Sequence, residues 1–166
     1  TRCDGIDSLD VDTDSLAAMA AAEDQVGFAM EVFAARSFGH ATLGISDRHK
    51  TTSQRLISLS GAEDNRAKTY DVTQLLANPN TIVDSATGLY APTDAVLEMN
   101  CARSEIAAVA ASSTSSNAST KSQTTSDDHS DDSREQSLGM IASMIADRVD
   151  LALDWGYPAF DEALFA

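Results

Sequence analysis

Leu138, Ile141, Met144, Ile145, Val149, Ala152 and Trp155 recur at intervals of three and four, a spacing that admits one local structure, an α-helix with a single apolar stripe. Ser133 followed by Gln136 reads as a capping box at its start, and Gly156 as its stop. Such a helix buries its stripe only against other helices, so the rest of the chain must supply them. The same period predicts two more. One begins at Asp14 or Ser15 and runs to about Arg36, with Leu16, Met19, Val26, Met30 and Phe33 near one stripe and Glu23, Asp24 and Glu31 largely off it. The other begins after Pro92, capped by Thr93 or Asp94, and runs to about Ala111 through Val96, Met99, Ile106 and Val109.

Between these helices the pattern is shorter. Asp71 to Ala77 reads as a small helix capped by Asp71 and ended before Asn78-Pro79, because the residue before a proline is pushed out of the helical region. Thr81-Ile82-Val83 and Leu89-Tyr90 are turn-flanked apolar pieces, either short strands or loop anchors. In 40–61, Ile57 and Leu59 alternate against Ser58 and Ser60 as in a strand, whereas Ser53 to Ile57 can open a helical turn; both alternatives stand. The expected fold is mainly α: an antiparallel helical bundle of three or four main helices with irregular connections and one or two short strands in 40–60 and 81–91. Residues 1–14 form an acidic lead, 15–111 the first part of a helical domain, and 134–166 a C-terminal helix and apolar tail packed on the same domain. Residues 112–133 hold 13 Ser or Thr and four Asp with no large apolar side chain, which predicts a flexible linker.

Composition sets the limits on this bundle. Leu, Ile, Val and Phe number 33 of 166 residues while Ala alone numbers 27, so the core is thin. The formal charge is −15, with 19 Asp and 7 Glu against 8 Arg and 3 Lys. That balance argues against a grip on nucleic acid or on an anionic membrane, both of which reward clustered basic residues. The scarcity of Lys and the excess of Asp also fit a surface adapted to high salt. No apolar run approaches the roughly 20 residues of a membrane-spanning helix. A first residue other than Met points to a processed product or a fragment, and mildly toward an exported, organellar or virion-associated protein.

The chemistry-bearing residues are few. Asp10, Asp12 and Asp14 alternate as carboxylates do in loops that hold calcium, although an EF-hand opening at Asp10 would need Gly and Glu where Ser15 and Ala21 stand. The other reading of the triplet is a helix-capping acidic lead. His40, His49 and His129 are the residues suited to zinc or to proton transfer, but none belongs to a metal-binding spacing, and His129 sits within a run of four Asp. Cys3 and Cys101 fit no metal spacing either, and Cys101, inside a helix, reads as an inert buried thiol. The Gly-x-Ser-x-Gly elbow and phosphate-cradling loops are absent. Asn117-Ala118-Ser119 matches a glycosylation acceptor.

One asymmetry suggests partners. The stretch 48–68 carries Arg48, Lys50, Arg55, Arg66 and Lys68 against Glu63 and Asp64, a net +3 in a chain otherwise at −18. A basic face meeting an acidic one on another copy makes a contact that propagates into rings or filaments. The expected function is therefore a non-enzymatic structural or accessory subunit of a larger assembly (a filament, a particle or a multi-subunit complex), with protein partners, no nucleic acid and no cofactor. The alternative is a small acidic module holding Ca2+ or another hard cation at Asp10, Asp12 and Asp14.

Overall fold

The computed structural model describes residues 11–64, 66–119 and 128–158. In chain order these form α1 (Thr13–Ala35), α2 (Leu43–Ser60), the short α3 (Thr73–Ala77), β1 (Thr81–Val83), β2 (Tyr90–Pro92), α4 (Thr93–Ser119) and α5 (Asp128–Asp154). The protein is mainly helical, as its apolar spacing predicts, and no helix among the described residues is long and apolar enough to cross a membrane.

Local chemistry places the helix ends. Asp12 rather than Asp14 or Ser15 caps α1, accepting from the Ser15 amide at 2.8 Å. The chain then reverses through Ser37 and Gly39, both at positive φ. A Cβ on Gly39 would stand 2.3 Å from Asp94 Oδ2, so glycine is required there by space as well as by φ. Thr42 caps α2 through the Ile45 amide at 3.2 Å, and Gly61, left-handed at φ 64°, ends it.

The strand alternative for 40–60 gives way to this helix for a specific reason. Ser46 Oγ donates to the Gly27 carbonyl at 2.7 Å, Ser53 Oγ to Ala20 at 2.6 Å, and Thr13 Oγ1 to Ser60 at 3.1 Å. These bonds step seven residues at a time along α2 and descend along α1, so the two helices are antiparallel and clamped hydroxyl to backbone. In the run that suggests alternation, Ile57 and Ser60 are buried and Leu59 half-buried, while Ser58 is exposed and bonds back to the Gln54 carbonyl, a helical rather than an alternating pattern. The apolar pieces at 81–91 do form strands, paired antiparallel with Ile82 opposite Ala91 and Val83 opposite Tyr90.

The core divides into three clusters. Leu16, Met19, Ala20, Leu56, Ile57, Ala108, Ile141 and Met144 fill one end. Val26, Ala29, Met30, Ile45, Leu97 and Cys101 fill the other. Ala91, Ala95, Val96, Met99, Ala152 and Tyr157 join α4 and α5 to the hairpin. This pairing makes α1 antiparallel to α2 and α4, and α4 antiparallel to α5, so α2 and α4 run the same way and 61–92 is the long crossover between them. Both long helices reach into the tract expected as a linker: α4 continues to Ser119 and α5 begins at Asp128, ahead of the Ser133 capping box. Ser112 Oγ accepts the Asp12 amide, which ties the start of that tract to α1. Residues 120–127 lie outside the described residues.

Candidate metal centre

A layer of ionisable side chains crosses the bundle between its two apolar ends. Glu23 comes from α1, His49 from α2, Glu98, Cys101 and Glu105 from α4, and Arg148 from α5. The three glutamates and His49 are fully buried, Cys101 is 2% exposed and Arg148 8%. On α4, Glu98, Cys101 and Glu105 are spaced three and four apart and therefore share one helix face. On α2, His49 reaches α1 closely because residue 27 is glycine: a Cβ there would sit 3.2 Å from His49 Cβ and 3.3 Å from the Lys50 amide nitrogen.

Hydrogen bonds fix most of the layer. His49 Nδ1 lies 2.5 Å from Glu23 Oε2, and Nε2 lies 2.9 Å from Glu98 Oε1. Arg148 grips Glu23 with two donors, Nε to Oε1 at 3.0 Å and Nη2 to Oε2 at 3.2 Å. Three donors thus converge on Glu23. Glu105 has the opposite situation, since neither of its oxygens meets a donor, and Glu98 Oε2 is likewise unpartnered. One ligand atom each from Glu23, His49 and Cys101 lie within 4.8 Å of one another.

The electrostatics follow from three acids facing two cations in a dry interior. Burial alone would raise the Glu23 carboxyl, but the His49 hydrogen bond and the charges of Arg148 and His49 reverse this and hold it at about 2. Burial alone would lower His49, and its bonds to Glu23 and Glu98 raise it instead. Glu105 has no such compensation: burial and then the Glu23 charge push it well above the ordinary carboxylate range, so it is held as the neutral acid and its interaction with Glu23 uses that proton. Burial, followed by the charges of Glu23 and Glu105, likewise raises the Cys101 thiol.

Chemically this layer offers two carboxylates, an imidazole nitrogen and a sulfur from three helices, with Glu98 on the far ring nitrogen of His49. A carboxylate that accepts the second ring N–H is the usual partner of a metal-ligating histidine, since it fixes the tautomer and the ring.

The residues singled out from sequence fall elsewhere or in new roles. Asp12 is spent on its cap, with its carboxyl lowered by hydroxyl bonds from Ser112 and then by bonds to Ser15. Asp14 is exposed in the first turn of α1, and Asp10 lies outside the described residues. Among the described residues, neither Asp12 nor Asp14 belongs to a converging group of three donors. The basic stretch is dispersed: Lys50 pairs with Glu31, and Arg66 forks onto Asp64, Gln54 and Ser53 and approaches Asp24. Arg48 and Lys68 are exposed and Arg55 half-buried. His40 stacks on Trp155 and takes Asp94 at 2.9 Å, while His129 lies in the first turn of α5. Cys101 is a free thiol, and Cys3 lies outside the described residues. His49 and Cys101 are thus brought together, with Glu23, Glu98, Glu105 and Arg148 added by the fold. Compared with protein-family models, curated proteins and solved structures, the chain matches none.

Proposed function

We propose that this helical bundle serves to hold a divalent metal ion in its core, bound by Glu23, His49, Cys101 and Glu105, with Glu98 orienting His49 and Arg148 balancing the charge of Glu23. The observation that carries this reading is the convergence of one ligand atom each from buried Glu23, His49 and Cys101 within 4.8 Å of one another, beside a fully buried Glu105 whose oxygens meet no donor. Burying a carboxyl without a partner is costly, and a purely structural layer would be cheaper with an apolar residue there. In the metal-free layer Glu105 limits that cost by keeping a proton that it shares with Glu23, and a cation would take the place of that proton. The proposal assigns no turnover to the protein.

Titration calorimetry of the chelator-stripped protein with zinc tests it. One ion per chain is expected, with binding abolished in Glu105→Gln, a neutral isostere whose amide can donate to Glu23. Equal uptake by wild type and Glu105→Gln, or none by either, would refute the assignment.

A second reading keeps the chain as an assembly subunit that meets copies of itself. Exposed Arg48 and Lys68 favour it, with exposed Asp150, Leu153 and Asp154 on α5 as the complement. Because Lys50 and Arg66 are already engaged within the chain, the free basic surface is smaller than the sequence suggests. Light scattering at low and high salt tests this reading: it requires a size that falls as salt screens the contact.

A further inference from the structure

Resting on the metal reading above, we infer that the ion is a borderline-soft divalent one, of the zinc, cobalt(II) or iron(II) kind, held in a closed four-coordinate site by Cys101 Sγ, His49 Nδ1 and one oxygen each of Glu23 and Glu105. In this site it acts as a tie between α1, α2 and α4.

Donor chemistry is the first support. Hard calcium takes six to eight oxygens, and magnesium keeps an octahedral shell with several waters. Here the donors include one sulfur and one ring nitrogen, and the two available carboxylates lie in an interior where Glu23, His49 and Glu105 are fully buried. Of the six carboxylate oxygens in the layer three are already bonded to His49 or Arg148, which leaves too few for a hard-cation shell. Ions of the zinc kind accept S, N and O donors together and are satisfied by four.

Geometry is the second support. Nε2 of His49 is held by Glu98 at 2.9 Å, so Nδ1 is the ligand atom, and the ion would replace the proton in its 2.5 Å bond to Glu23. Glu23, His49 and Cys101 offer donors within 4.8 Å of one another, not far beyond the edge of a tetrahedron whose bonds are about 2.0–2.3 Å. Glu105 is not one of those three; it stands one turn beyond Cys101 on the same helix face, interacts with Glu23, and is the residue this inference takes as the fourth donor. The donors come from three helices, and four protein ligands leave no open position. A closed site of this kind is how structural zinc is held, whereas catalytic zinc keeps a place for water or substrate.

The test is a cobalt(II) titration of the stripped chain carrying Cys3→Ser, so that Cys101 is its sole thiol. The expected spectrum has the strong visible bands of tetrahedral cobalt and a near-ultraviolet thiolate-to-cobalt band. Both persist in a hundredfold excess of magnesium or calcium, and free cobalt at a hundred times the dissociation constant raises the folded-to-unfolded ratio about a hundredfold. Adding Cys101→Ser should remove the near-ultraviolet band while helical circular dichroism is retained. Cobalt bound with the weak spectrum of six-coordination, without the thiolate band, or displaced by calcium, overturns this inference and leaves the proposed site standing. If neither cobalt nor zinc binds, the proposed site fails with it.

Discussion

Glu105 and Glu23 lie in one buried layer yet carry opposite protonation, and the difference is one of partners. Glu23 has three donors and stays ionised; Glu105 has none and keeps its proton. The pH dependence of the metal-free protein follows from this. Glu23, lowered in the fold to about 2, adds stability that is complete above the ordinary value of 4.5 and lost as pH falls toward 2. Glu105, raised in the fold, adds stability that is complete below 4.5 and lost as pH climbs toward its folded value. His49, also raised, adds stability that is complete below 6.5 and lost above it. Denaturant melts across pH should therefore show a maximum on the acid side of neutrality, with each unmatched proton contributing a slope of about 1.4 kcal/mol per pH unit. Glu105→Gln should leave metal-free stability within about 1 kcal/mol of wild type and flatten the fall above pH 4.5. Arg148→Met, which strands the Glu23 charge, should cost about 3–5 kcal/mol by the same measurement. Glu98→Gln should fold and bind zinc about 10–100 times more weakly, since the ring it orients would lose its anchor.

At the scale of elements, sequence spacing found helices more readily than faces. The apolar periods of 14–36, 93–111 and 133–156 mark α1, α4 and α5, and the turn-flanked pieces at 81–91 mark the hairpin, because bulky residues at regular intervals survive any rotation of the stripe. The faces were harder to read. Glu23 falls four after Met19 and three before Val26, at the centre of the α1 stripe, yet a charged side chain reads as solvent-facing until a partner is known. On α4 the buried face runs through Glu98, Cys101, Ala102, Glu105 and Ala108 rather than through Ile106 and Val109, which are half-buried. In an alanine-rich helix the small residues pack closest, and the contrast that sets the stripe is blurred. Five of the eight buried residues of α2 are Ser, Thr or His, and the partners that draw Ser46, Ser53 and His49 inward, two α1 carbonyls and the carboxylates of Glu23 and Glu98, are not displayed by a single sequence. A charged residue placed in phase with an apolar stripe was the available signal for the site, and it recurs at Glu23, Glu98, Glu105 and Arg148. Gly27 is the element-level test: Gly27→Ala should push α2 outward at His49, cost about 1–3 kcal/mol in thermal or chemical melts, and weaken zinc binding more than an alanine placed at exposed Gly139.

Taken whole, the molecule compensates for a thin core by tying its helices with polar bonds. Hydroxyl-to-carbonyl bonds join α1 to α2, and the Glu23–Arg148 pair joins α1 to α5. Asp84, buried under the hairpin, takes bonds from Arg103 of α4 and from Tyr157 past the end of α5. A central metal tie would complete that scheme. Such an ion would supply from within the cohesion that a thin, alanine-rich core lacks. Native mass spectrometry of the intact chain, prepared without chelator, measures this most directly because it weighs the bound ion and counts the copies together. One zinc-class ion per chain in the wild type, and none in Glu105→Gln of the same charge-state envelope, is the expected result. A folded wild type that carries no ion after incubation with zinc would contradict the central claim.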